Sequence, residues 1–231
     1  PLRCDYWSGL CRVPAGIFLR FILSETGSAG LFYFFERKLT EMKILEDRII
    51  KDGVVLSGDI LKVNTFFNQQ LDTGLIMKVG QEIARLFEKN NITKVVTIEA
   101  SGIAIATAAA VYLGVPVVFA KKHRASTQVG EMLTAEVRSM THGNCYNAVV
   151  PASLLSGSDR ILIVDDFLAR GEALRGLISI VKQSGAHLCG CAVGIEKRFQ
   201  GGGDELRSQG IRVESLACIE SMDPENGIVF R

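Results

Sequence analysis

Apolar and polar positions recur in two rhythms along this chain, and the switches between them mark its elements. Over residues 72–90, Leu75, Ile76, Val79, Ile83, Leu86 and Phe87 return at spacings of three and four, which predicts an amphipathic helix with one buried stripe. A shorter stretch over 42–52 carries Ile44, Leu45 and Ile49 on one side and stops at Gly53, predicting a second helix. Residues 102–113 form an Ala-rich helix ended by Gly114, and a further helix is expected from about 171 to 183. Between these lie short runs that are apolar throughout, at 95–98, 115–119 and 161–164, with two more strands at about 188–195 and 211–219. Strands without alternation are buried on both faces, so helices must cover both sides of a parallel sheet. The chain is therefore read as an α/β protein. Residues 121–158 are polar with weak periodicity and predict no regular element, and Gly201-Gly202-Gly203 reads as a turn between the last two strands. In such sheets the ligand lies at the carboxyl ends of the strands, which directs attention to the residues that follow them.

Composition separates the first residues from the rest. Residues 1–41 hold eight of the seventeen aromatics, including Trp7, in apolar clusters broken by Arg20 and by Gly27-Ser28-Ala29-Gly30. That order does not suit a signal peptide. A boundary is placed near Met42: residues 1–41 are expected to be an extension outside the native protein, disordered or loosely packed and dispensable, and 42–231 a single domain. The net charge of +1 supplies no electrostatic reason for nucleic acid or an anionic membrane as partner. Six cysteines occur without a CxxC pair, which is read as reduced, buried thiols in a cytoplasmic protein. His123, His142 and His187 are not at metal or triad spacing, and no metal-ligand set of the protein's own is expected. There is no GxxxxGK[ST] loop, no GxGxxG after a strand and no GxSxG elbow.

One segment is more informative. The run Ile161-Leu162-Ile163-Val164 leads into Asp165-Asp166, then Phe167-Leu168 and the small-residue turn Ala169-Arg170-Gly171-Glu172-Ala173 that opens a helix. Paired carboxylates at a strand's end suit vicinal hydroxyls, each accepting one hydrogen bond. Backbone N–H groups at the following helix start suit a phosphate. Diol plus phosphate describes a ribose 5-phosphate; helix capping by the two acids is the plainer alternative.

Four apolar residues, two acids and a small-residue phosphate loop resemble the signature of the phosphoribosyltransferase family. The resemblance extends over Gly53-Val54-Val55-Leu56, Leu61-Lys62-Val63, Phe67-Asn68-Gln69-Gln70, Thr97-Ile98-Glu99-Ala100-Ser101-Gly102 and Ile195-Glu196-Lys197-Arg198-Phe199-Gln200, covering nearly all of 42–231 and none of 1–41. It implies a type I phosphoribosyltransferase-like sheet with a hood formed partly by the N-terminal part of the domain. It also implies transfer of ribose 5-phosphate from phosphoribosyl diphosphate to a purine, with xanthine the expected base. Mg2+ held mainly through the diphosphate substrate, and a homodimer, follow from the same resemblance. Asp165 and Asp166 then take the catalytic place at the ribose. Ala169, Arg170, Gly171, Glu172 and Ala173 take the 5-phosphate. Glu99, Ser101 and Gly102, with Lys121 and Lys122 at the start of a closing loop, take the diphosphate, and Leu61, Asn68 and Lys197 the purine. The loop departs from the family's Thr-Gly-Gly/Ser-Thr pattern: two hydroxyl donors are lost and Glu172 brings a like charge toward the phosphate, with Arg170 as the offsetting cation.

Lys197 is donor-only, so it favours a 6-oxo purine over the 6-amino group of adenine. Asn68 can donate or accept, and does not by itself separate a 2-oxo from a 2-amino group. Guanine, hypoxanthine or adenine as the base, and a non-catalytic regulator that senses phosphoribosyl diphosphate, stand as alternatives. The regulator would need a basic DNA-binding region, which 1–41 does not offer.

Overall fold

The computed structural model describes residues 3–5, 10–12, 18–20, 43–56, 59–122, 130–138 and 145–231. The chain divides into two units, Pro1–Thr40 and Glu41–Arg231. In the first, strands β1 (Arg3–Asp5), β2 (Leu10–Arg12) and β3 (Phe18–Arg20) pair antiparallel in sequence order. The expectation of disorder over the remainder of 1–41 lies outside the described residues.

The second unit opens with helix α1 (43–52), the hairpin β4 (Val54–Val55) and β5 (Leu61–Lys62), and one turn of π-helix at Asn64–Asn68. Helix α2 (Thr73–Phe87) is capped by Asp72, whose Oδ1 accepts from Leu75 N at 3.1 Å. Strand β6 (Lys94–Ile98) leads into α3 (Gly102–Leu113), which Gly114 ends in the left-handed conformation, φ +69°. Strand β7 (Val117–Ala120) follows. Strands β8 (Met132–Arg138) and β9 (Cys145–Pro151) form an antiparallel hairpin. Strand β10 (Arg160–Leu168), helix α4 (Glu172–Gln183), strand β11 (His187–Lys197), helix α5 (Gly202–Ser208) and strands β12 (Val213–Asp223) and β13 (Gly227–Phe230) complete the chain.

Six strands make the main sheet in the order β13-β12-β11-β10-β6-β7. All neighbours are parallel except β12 and β13, so the sheet is mixed at one edge rather than wholly parallel. Alternate residues of β10 supply two cores. Leu162 and Val164 join one that contains Leu45, Ile49, Phe66, Phe67 and the buried stripes of α2 and α3. Ile161 and Ile163 join the other, with Leu133, Val137, Ala148 and Leu177 from the hairpin and α4. Helices α2 and α3 pack so closely that a Cβ on Gly80 would lie 2.5 Å from Ala108. The N-terminal part of the domain thus packs over one face of the sheet.

Three expectations are corrected. Strand β10 does not stop at Val164 but runs through both acids to Leu168. The stretch 121–158 contains the β8–β9 hairpin, whose Leu133 and Val137 face the core while Thr134, Glu136 and Arg138 face out. Residues 202–208 form a helix where a turn was expected, because Leu206 is buried in the second core and anchors it despite two leading glycines. The thiols also differ from expectation in two cases: Cys189 and Cys191 are buried, but Cys145 is exposed and Cys218 is half-buried.

Candidate active site

An open cleft of about 250 Å3 lies at the carboxyl ends of β6 and β10. It is lined by Glu99, Ser101, Lys122, Asp165, Asp166 and the whole turn from Ala169 to Ala173, together with Arg138, Tyr146 and Phe167. Residues from three separate predicted segments therefore meet in one place. Gly102, Lys121, Leu61, Asn68 and Lys197 are not among its lining residues.

Adjacent strand residues normally face opposite ways, yet both acids line the cleft. The alternation changes phase at this pair: Leu162 and Val164 belong to the first core with Phe167, whereas Ile161 and Ile163 belong to the second with Leu168. Asp165 is buried and its Oδ1 accepts from Asp166 N at 2.9 Å. Burial, then the charge of Asp166 beside it, pushes the Asp165 carboxyl well above its ordinary range. Gly102 serves this carboxylate without lining the cleft. A Cβ there would lie 2.5 Å from Thr97 Oγ1 and 2.7 Å from Asp165 Oδ1, so only glycine lets α3 start so near the acid.

Two helices begin at the cleft, and neither is capped by a side chain. Ser101 precedes α3 and Gly171, at φ +82°, precedes α4, and in both cases no side-chain oxygen takes the first-turn N–H groups. Helix α2, which starts elsewhere, has its cap from Asp72. Uncapped first turns facing a cleft present backbone donors of the kind that suits an anion. Lys122 closes toward the first of them, its N–H donating to Glu99 Oε1 at 2.7 Å and its ammonium lying 5.5 Å from the Tyr146 ring centre. Burial, with the charge of Asp165, raises the Tyr146 phenol. Lys121 instead exchanges backbone hydrogen bonds with Val149, at 3.0 and 2.8 Å, fixing where this loop leaves the sheet. His123 and Arg124, the continuation of that loop, lie outside the described residues.

The charge on Glu172 is balanced, but not by the residue expected. Arg175, one helical turn on, donates to Glu172 Oε1 at 2.8 Å and also to the Arg170 carbonyl. No local signature marked Arg175; only its three-residue spacing from Glu172 on a helix start could have.

The three purine candidates lie outside the cleft lining, each with its own surroundings. Phe67 packs its ring where a Cβ of Gly194 would be, 2.5 Å from Cζ, so the π-turn carrying Asn68 rests on β11. Lys197, at the end of β11, donates to the Asp59 carbonyl just before β5, and its ammonium stands 5.5 Å from the Phe167 ring centre. Phe167 thereby links this group to the cleft, a role the sequence reading did not give it. Burial lowers the Lys197 ammonium from its usual range, partly offset by the Asp59 charge. Asn68 Oδ1 is buried with no hydrogen-bond partner, a state that costs about 1–3 kcal/mol unless a ligand donor meets it. Leu61 is buried in the first core.

Among the described residues no group of three or more His, Cys, Asp or Glu could hold a metal ion. The oxygen donors that line the cleft, the carboxyl groups of Glu99, Asp165, Asp166 and Glu172, suit a hard cation carried largely by ligand oxygens. No helix of the described residues is long and apolar enough to cross a membrane.

Comparison with known proteins agrees with this geometry. The model of the family described as "Phosphoribosyl transferase domain" matches residues 68–212. A xanthine phosphoribosyltransferase of Lachnoclostridium phytofermentans is 51% identical over 174 residues, which span 75% of this chain and 90% of that one. One from Brevibacillus brevis is 54% identical over 171 residues, 74% of this chain and 87% of that one. Among solved structures, the adenine phosphoribosyltransferase of Rhodothermus marinus superposes with a TM-score of 0.64 at 21% identity, covering 78% of this chain and 99% of that one. At that identity the likeness speaks for the fold.

Proposed function

The chain belongs to the phosphoribosyltransferase family, and from that premise we propose that it transfers ribose 5-phosphate from phosphoribosyl diphosphate to xanthine, giving xanthosine monophosphate and pyrophosphate in purine salvage. The observation that carries the reading is the meeting of the Asp165 and Asp166 carboxyl groups with two uncapped helix starts in one cleft. One helix start takes the 5-phosphate and the other the diphosphate, with acceptors for the ribose hydroxyls between them.

The transition state has oxocarbenium character, so the protein's task is to hold the sugar and stabilise the departing polyanion. Asp165 and Asp166 accept from the ribose hydroxyls. Backbone N–H groups of 169–173 hold the 5-phosphate, and those after Glu99, with Lys122, hold the pyrophosphate as it leaves. Mg2+, bound mainly through the substrate's own oxygens, neutralises diphosphate charge when present. Lys197 donates to the 6-oxo group and Phe167 offers a face for the ring. The unpartnered Asn68 oxygen accepts from a purine N–H, which xanthine supplies. We further propose a homodimer working in the cytoplasm, a compartment that suits the free thiols Cys145, Cys189, Cys191 and Cys218.

The test is a chromatographic assay of the chain with phosphoribosyl diphosphate, Mg2+ and each of xanthine, guanine, hypoxanthine and adenine. Xanthine is expected to give the highest kcat/KM. Preference for adenine would overturn the base assignment, and no turnover of any base would overturn the enzyme reading in favour of a sensing role.

A further inference from the structure

The phosphate loop is seated on a neighbouring helix rather than merely connected to its own. A Cβ on Gly202, at the start of α5, would lie 2.3 Å from the carbonyl carbon of Arg170, 2.5 Å from the Ala169 oxygen and 2.6 Å from Gly171 N. These are backbone atoms, which cannot swing aside as a side-chain tip could. Gly202 N also donates to the Ala169 carbonyl at 3.2 Å. A second tie runs through Arg175, which holds the Arg170 carbonyl and reaches Glu205 on α5 at 3.2 Å.

Helix α5 is itself held from below. Glu196 is fully buried and receives both terminal nitrogens of Arg207, at 2.9 and 2.7 Å, and the Ser215 hydroxyl. These partners, despite burial, keep its carboxyl below its ordinary range. Glu196 Oε1 fills the space a side chain on Gly203 would need. Glu196 immediately precedes Lys197. The strand end that carries the purine-side ammonium and the loop that receives the 5-phosphate are thus joined by one short helix.

We infer that Gly202 is a positioning residue for the 5-phosphate: its missing side chain lets α5 set the height of the Ala169–Gly171 backbone, and hence the aim of its N–H groups. The inference rests on the assignment of this loop to the 5-phosphate. The predicted behaviour is selective. Displacing the loop weakens ligands that carry the phosphate and leaves the base and nucleoside alone.

Calorimetric titration of the full chain and of Gly202→Ala with ribose 5-phosphate, xanthosine monophosphate and xanthosine tests this. Gly202→Ala is expected to weaken both phosphorylated ligands about tenfold, or roughly 1.4 kcal/mol, with xanthosine changed less than twofold. Glu205→Ala, which releases the loop's second tie at an exposed position, is expected to weaken the phosphorylated ligands about two- to threefold. Should Gly202→Ala fail to fold, Glu205→Ala decides alone. Unchanged ribose 5-phosphate affinity in the folded variants, or equal weakening of xanthosine, overturns the inference. If the parent chain does not bind ribose 5-phosphate at all, the assignment of the loop fails instead, a distinct result.

Discussion

Arg175 holds Glu172 with one nitrogen at 2.8 Å and gives the same nitrogen to the Arg170 carbonyl, so the acidic residue of the phosphate loop is neutralised from within its own helix. On the proposed assignment of this loop to the 5-phosphate, that pairing lets a loop without hydroxyl donors carry a carboxylate. Both side chains are about one-third exposed, so the pair itself contributes no more than about 1 kcal/mol. Its larger effect is on the field that the phosphate meets.

Arg175→Ala is therefore expected to weaken ribose 5-phosphate by about five- to tenfold, roughly 1–1.4 kcal/mol. Adding Glu172→Gln should recover most of that loss, since the uncovered charge goes with it. Isothermal titration of the two single variants and the double variant measures the coupling. A double variant as weak as Arg175→Ala alone would show that the lost carbonyl contact, not charge, is responsible.

Asp165→Asn with Asp166→Asn is expected to abolish transfer while the circular dichroism spectrum stays native, because the ribose hydroxyls lose their carboxyl acceptors. Near-normal kinetics in that variant would remove the central assignment.

The single change Asp165→Asn should also alter stability in a pH-dependent way. Burial and Asp166 raise the folded-state carboxyl above the ordinary Asp value of 3.8. Below that value both folded and unfolded chains carry the proton and no penalty exists. As pH climbs through the raised folded value the parent loses stability, because its unfolded chain ionises more readily. The Tm of Asp165→Asn should rise relative to the parent across this window and then level off. A Tm difference that does not change with pH between about 3 and 8 would contradict the burial argument.

Much of this arrangement was legible in the sequence because it depends on local rules. The stripes of α2 and α4, the apolar strands and the acids after Val164 are patterns within a dozen residues. Glu99, Ser101 and the turn 169–173 follow strands, where open sheets place their ligands. What escaped was set by distant partners. Tyr146 enters the cleft only because β9 pairs with β8, setting it opposite Val137, and Gly202 matters only because the Arg170 backbone rests on it. Arg175 looked like any helical arginine until its three contacts were known. The alternation Leu133, Ala135, Val137 was present and readable, but the polar residues around it masked the strand.

Removal of residues 1–41 is expected to leave xanthine transfer intact. The chain divides at Thr40 and Glu41, the family match begins at residue 68, and every side chain assigned to the cleft or the base lies beyond Met42. Expression of 42–231 with measurement of kcat/KM for both substrates is the check. Loss of activity or solubility would make the extension part of the working enzyme.

Lys197 yields the sharpest expectation about the base. Lys197→Ala should cost the 6-oxo purines about 1.5–3 kcal/mol in kcat/KM, the range for a charged hydrogen bond. The same assignment predicts a pH limb. Only the ammonium form donates with full charge, and burial lowers its proton affinity from the ordinary value of 10.5, so capture of xanthine should begin to fail at a lower pH than a surface lysine would impose. Lys197→Arg removes that limb if the guanidinium can reach, because it stays charged throughout. The discriminating comparison is KM for xanthine against pH in the parent and in Lys197→Arg, with KM for phosphoribosyl diphosphate as the internal control. A limb that persists in Lys197→Arg belongs to another group, and the purine contact would then have to be sought around Phe167 and Asn68 instead.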